Sequence, residues 1–217
     1  MYRVSFVVLV CVCMAASAWS ATIPLAPDNP VQASSTYRTS NLGNLLDESL
    51  TTNWMSEGYT TGEGGTDRTP WLIYNFDDVY TVDSITLYNF YGGESVRGVR
   101  AVDVYVSLDG TFDASAMTST PLFSFELQMN GTAWVDPPVL PYPQTFEFPD
   151  GTQALSVMLV FRSNWFGYTF EPDAPPTEWA NISTTGLSRV NFTAVPEPAT
   201  MTLLALGGLA LLRRGRR

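Results

Sequence analysis

An all-β fold, most simply a single two-sheet jelly-roll sandwich, is what this sequence predicts, and three observations carry the prediction. Apolar and polar residues alternate in short runs, turn-forming clusters separate those runs, and no helical period of useful length occurs between the two ends of the chain. About 170 residues lie between the terminal segments, which suits one domain with one core.

The first segment is an export signal. After Arg3 an uncharged stretch, 4–14, leads into Ala15, Ala16, Ser17 and Ala18, the layout of a secretory signal peptide over residues 1–20 with cleavage after Ala18 or Ser20. Cys11 and Cys13 both fall inside it. The mature protein is then free of cysteine, which excludes disulfides and thiol chemistry.

The strands follow in order. Runs 71–76 and 155–161 are apolar on nearly every residue and read as central strands, whereas 102–108 and 123–129 alternate strictly and read as strands with one wet face. Further strands are expected at 82–90, 145–148 and 187–193. Leu108-Asp109-Gly110 and Pro149-Asp150-Gly151 mark turns between them.

Composition narrows the chemistry. There is no histidine, and all 11 basic residues are arginine. Ser-His-Asp and Cys-His arrangements, lysine Schiff bases and histidine metal sites are therefore excluded, and paired carboxylates remain the only hydrolytic machinery. Residues 22–195 hold 20 acidic residues and 6 arginines, a net charge of −14. Such a domain repels nucleic acid and anionic membrane.

Six segments occur in a telling order: Gln32-Ala33-Ser34-Ser35; Asn44-Leu45-Leu46-Asp47 with Thr51-Thr52-Asn53-Trp54; Pro70 to Phe76; Val82 to Leu87; Val102 to Gly110; and Gly186 to Phe192. This succession, over residues 31–194, resembles the discoidin or coagulation factor type C domain, a galactose-binding-like jelly roll. The resemblance implies a structural calcium held by Asp47 and Thr52 together with a last-strand Glu. Arg189 stands at that last position, and a cation there opposes Ca²⁺. An alternative is that Arg189 replaces the ion by bridging to Asp47.

The resemblance also implies that ligand binds on loops at one end of the sandwich. Two long loops, 55–69 and 163–185, are candidates. Trp165, Phe166, Tyr168 and Trp179 can stack on sugar rings, while Tyr91, Arg97, Asn164 and Arg68 can bond hydroxyls. Galactose-binding relatives commonly use a histidine; its absence leaves the expected ligand as extracellular polysaccharide or another surface polymer.

The last segment is a second address. Pro196, Glu197 and Pro198 precede an uncharged run, 201–212, and a tail with Arg213, Arg214, Arg216 and Arg217. The run is shorter than the roughly 20 residues that span a bilayer unstrained, so transient inner-membrane insertion fits better than a lasting anchor. Residues 195–217, with a short apolar helix, resemble the PEP-CTERM sorting signal of Gram-negative bacteria. That resemblance implies an exosortase-type processing enzyme as partner and delivery to the cell surface or extracellular matrix. The expected function is a non-catalytic polysaccharide-binding module, with a structural protein that binds another surface protein, or a carboxylate-based glycosidase, as alternatives.

Overall fold

The computed structural model describes residues 20–38, 40–59, 66–92, 94–112, 117, 119–131, 140–171 and 183–195. Residues 1–19 of the expected signal peptide 1–20, Trp179, and the sorting segment with Pro196, Glu197, Pro198 and the expected helix lie outside them.

Among the described residues there are nine strands: β1 (Ala21–Thr22), β2 (Val31–Ala33), β3 (Trp54–Met55), β4 (Trp71–Asn89), β5 (Val99–Ser107), β6 (Phe123–Glu126), β7 (Pro143–Glu147), β8 (Gln153–Asn164) and β9 (Gly186–Ala194). Two 3₁₀ turns, Leu42–Leu45 and Ser95–Arg97, accompany them. Every pairing between these strands is antiparallel. The fold is thus the predicted all-β jelly roll, with β1 lying ahead of the expected domain start at residue 31.

The runs 71–76 and 82–90 belong to one 19-residue strand, β4. Its Asp77, Asp78 and Val79 are exposed, and the register slips there: Asn75 faces Ser156, but Tyr80 faces Ala154. Such a bulge bends a strand. The first half of β4 pairs with β2 and β8, and the second half with β7 and β9, so one strand serves two layers. The first layer continues from β8 through β5 to β6; in the second, β1 and β3 flank β9.

Alternation decides what lies between the layers. Leu72, Tyr74, Val102, Val104, Val157, Leu159 and Phe161 point inward from the first, and Ile85, Leu87, Val190 and Phe192 from the second, into one core. Tyr74 meets Phe192 at 5.2 Å and Trp54 meets Phe161 at 5.9 Å between ring centroids. Trp54 is completely buried, and such burial stabilises by roughly 2–3 kcal/mol. At the edges, Phe125 of β6 stacks on Phe146 of β7 at 3.8 Å and closes the sandwich on that side.

The first layer is apolar on both faces for a visible reason. Ile73, Tyr105, Met158 and Val160 form a second buried cluster on its outer face, covered in part by Phe112 and Met117 from the arm joining β5 to β6. Arg162 pins that arm: its Nε donates to Asp103 at 2.6 Å and its Nη2 to the Met117 carbonyl at 2.9 Å.

Candidate functional site: the loop end of the sandwich

The ends of β4 and β8 and the starts of β5 and β9 meet at one end of the sandwich, where Val99 pairs with Asn164 and Asn89 with Leu187. Buried amides and hydroxyls hold the loops there. Asn89 donates to the carbonyls of Val99 at 2.8 Å and Gln128 at 2.9 Å and accepts from the Phe90 N–H. Asn53 accepts from the Ser188 hydroxyl at 2.7 Å and the Tyr91 N–H at 2.8 Å. Ser183 accepts from the Tyr59 N–H at 2.9 Å and donates to the Tyr59 carbonyl, which brings the loop after β3 against the segment before β9. Gly58 has φ +74°, and a Cβ there would press on Ser183 backbone, so this contact needs glycine.

Four of the expected ligand residues define the exposed part of this end. Arg68 lies 4.3 Å over the ring of Tyr59, and its Nη2 donates to the Tyr59 hydroxyl at 2.6 Å. Tyr168 joins them: desolvation pushes its phenol pKa up, the positive charge of Arg68 pulls it back, and Tyr59 adds to the rise. Its ring meets the buried Phe170 edge-on at 5.1 Å, which fixes its orientation. Nearby, Trp165 lies half-buried with Arg100 over its ring at 5.1 Å, and its backbone N–H donates to the Gly98 carbonyl. Phe166, at the tip of the turn, is 41% exposed.

The other expected residues serve as supports. Asn164 is fully buried; its amide donates to the Thr184 carbonyl at 2.9 Å and accepts from the Tyr168 N–H at 3.0 Å, which shapes the turn that presents Trp165 and Tyr168. Arg97 is ion-paired with Glu94. Tyr91 donates its backbone N–H to Asn53 and Ser188. Two residues of the cluster, Tyr59 and Arg100, were not singled out by the sequence. Tyr59 sits in a loop notable for its glycines, and Arg100 sits in a strand whose outward residues look like ordinary solvated ones.

The calcium loop has a self-contained geometry. The Asp47 carboxylate accepts from the Ser49 N–H at 2.9 Å and from the Thr52 hydroxyl at 3.0 and 3.1 Å. The resemblance would add backbone carbonyls and a last-strand carboxylate to this set; Arg189 stands at that last-strand position, so one anionic ligand is lost to an ion that takes six to eight oxygens. Arg189 does not bridge to Asp47. It points from the outer face of the second layer, donating to Asn191 at 3.2 Å and lying 6.0 Å over the Tyr88 ring. The strand alternation that buries Ser188 and Val190 turns Arg189 outward.

One carboxylate at this end has a raised pKa. Asp67 is pushed up by desolvation against the lowering effect of hydrogen bonds from Ser34, Ser35 and the Thr69 backbone. Those bonds fasten the segment after β2 to the loop before β4, a structural task.

Comparison with known proteins gives two findings. The PEP-CTERM protein-sorting motif is matched over residues 194–217. A search of the curated proteins gives no match. Among solved structures, a family 32 carbohydrate-binding module from a family 31 glycoside hydrolase of Clostridium perfringens is similar at 14% identity and TM-score 0.52, with 76% of this chain and 90% of that one covered. The family 32 module of Clostridium perfringens NanJ, in complex with galactose, is similar at 12% identity and TM-score 0.52, over 81% and 99% of the two chains. A truncated AlyQ with a family 32 module and an alginate lyase domain is similar at 12% identity and TM-score 0.51, and here this chain covers only 35% of the other. The protein therefore carries a PEP-CTERM sorting motif at residues 194–217, and its body has a jelly-roll fold like that of the family 32 carbohydrate-binding modules.

Proposed function

We propose that the protein is an exported, surface- or matrix-sorted, non-catalytic binding module that recognises extracellular polysaccharide through its loop end. The observation that carries this reading is the cluster of Tyr59, Arg68 and Tyr168 beside Trp165 and Arg100, on a fold shared with a module captured in complex with galactose. Aromatic faces take the apolar side of a pyranose ring, and guanidinium N–H groups bond its hydroxyls. The sorting motif supplies the address: processing by an exosortase-type enzyme after transient insertion in the inner membrane of a Gram-negative bacterium, then display at the surface or in the matrix. The acidic balance disfavours nucleic acid and anionic membrane as partners.

Binding of the purified protein to a panel of bacterial and plant polysaccharides, with calcium and with a chelator, tests this. Saturable, calcium-independent binding to one class is expected, with at least a tenfold loss in the Arg68→Ala, Tyr168→Ala double variant at unchanged melting temperature. Absence of binding across the panel would refute the sugar reading and favour recognition of another surface protein.

A further inference from the structure

The far end of β5 carries a second feature that the loop-end site does not use. A cleft of about 540 Å³ opens between Ser107, at the end of β5, and the arm that returns to β6. Its walls include Tyr105, Ser107, Thr111, Phe112, Thr120 and Leu122, and among the described residues lining it none is charged. Beside this lining the Asp109 carboxylate, bonded by Ser107 and Thr111, adds negative charge to a chain of net charge −10, so an anion is repelled while hydroxyls stand beside apolar walls.

Both walls are held in place. On one side the turn is knitted by Ser107, Asp109 and Thr111: the Ser107 hydroxyl donates to Asp109 at 2.7 Å, as does the Thr111 hydroxyl, and Gly110 takes the left-handed backbone at φ +78°. On the other side Leu122 donates its N–H to the Val104 carbonyl at 2.8 Å, and Arg162 grips the Met117 carbonyl and the Tyr105 hydroxyl. Behind the cleft lies the buried outer cluster of Ile73, Tyr105, Met158 and Val160. Its neighbourhood also shows more apolar surface than a solvated turn requires, with Leu108 60% and Leu122 38% exposed.

We infer that this cleft is a second binding site for an uncharged sugar ring, with Phe112 and Leu122 against its apolar face and Thr111 and Thr120 toward its hydroxyls. The volume lies within the range of small-ligand sites. The site differs from the loop end in chemistry as well as place, since no arginine is among its described lining residues. Eight residue steps of β5 separate the two, roughly 26 Å, so a single domain can hold two separate polymer chains at once.

Backbone amide NMR of the full protein, titrated separately with galactose, glucose, mannose, xylose, N-acetylglucosamine, lactose and galacturonate, tests the assignment. The expected result is saturable shifts of the Ser107, Thr111 and Thr120 amides with at least one neutral sugar and none with galacturonate. In Phe112→Leu, which keeps an apolar side chain on the outer cluster and loses the ring, affinity at these amides falls about fivefold or more; in Thr120→Ala, an exposed position, it falls while the spectrum elsewhere stays native. No shift at these amides with any neutral sugar, or equal shifts with galacturonate, would overturn the site. Shifts confined to Tyr59, Arg68 and Tyr168 would remove this inference and leave the loop-end reading standing; shifts confined to the cleft would do the reverse.

Discussion

At the Val99 end of β5 the chain is held by side chains that reach across the fold: Asn164 to Thr184, Ser183 to Tyr59, Ser188 to Asn53. At the Ser107 end the hydrogen bonds of Ser107, Asp109 and Thr111 stay within four residues of one another. The same chemistry, hydroxyl to carboxylate or amide to carbonyl, is long-range and buried in one place and local and exposed in the other. Losing a buried partner strands another group away from water, whereas losing an exposed one hands it to solvent. The two ends should therefore respond very differently to comparable substitutions.

The largest effect falls at the loop end. Asn89 is 1% exposed and its side chain makes three hydrogen bonds, so Asn89→Ala removes this partner from the Phe90 N–H and the Val99 carbonyl, leaves the Gln128 carbonyl its bond from Gln144, and should cost about 2–3 kcal/mol, read by urea unfolding. A cost under about 1 kcal/mol would show that this end is no more tightly knit than the other.

A finer test uses two aspartates that each accept bonds from two hydroxyls. Asp67 is bonded by Ser34 and Ser35, and Asp109 by Ser107 and Thr111. Burial wins at Asp67 and raises its pKa, while hydrogen bonds in open solvent win at Asp109 and lower its pKa to about 2. The signs of the linkage are opposite. Folded Asp67 keeps its proton to higher pH than the unfolded chain does, so its contribution is present below the ordinary value of 3.8 and is lost as pH rises through the folded pKa. Folded Asp109 gives its proton up more readily, so its contribution is present above 3.8 and is lost as pH falls toward about 2.

Stability measured as a function of pH separates them. Asp67→Asn should flatten the decline with rising pH above 3.8, and unaltered pH dependence in that range would show that burial does not dominate there. The smallest effect is that of Asp109→Asn, which should lower stability slightly at neutral pH, where the contribution of this exposed group is present, and remove part of the loss of stability between 3.8 and about 2. A marked destabilisation at neutral pH would mean that this turn supports more than itself.

The contrast also explains what could be read in advance. Val102, Val104 and their polar neighbours alternate in sequence as they do in space, and Leu108-Asp109-Gly110 announces its turn because every partner is close by. The same holds for the resemblance in segment order that pointed to the jelly roll. What pairs Asn53 with Ser188, 135 residues away, leaves no local trace. Asn164 looked like a ligand because asparagine in an aromatic loop is chemically suited to sugar, yet burial assigned its amide to the backbone. Arg189 and Asp47 seemed natural partners until the pleat of β9 turned the guanidinium to the opposite face. The merging of two runs into β4 was equally hidden, since Asp77 and Asp78 look like a loop and are the exposed crest of a bulge.

The direction of β9 has a mechanical consequence. It begins at Gly186, beside the loops, and ends at Ala194, where the sorting segment leaves and where Ala21 and Val82 lie alongside. On the proposed function, a load between a polymer held at the loops and an attachment beyond Ala194 would run along the strand axis, perpendicular to its ladder bonds. Its bonds to β4 and β1 would then share the force together instead of breaking one at a time, a geometry that resists shear.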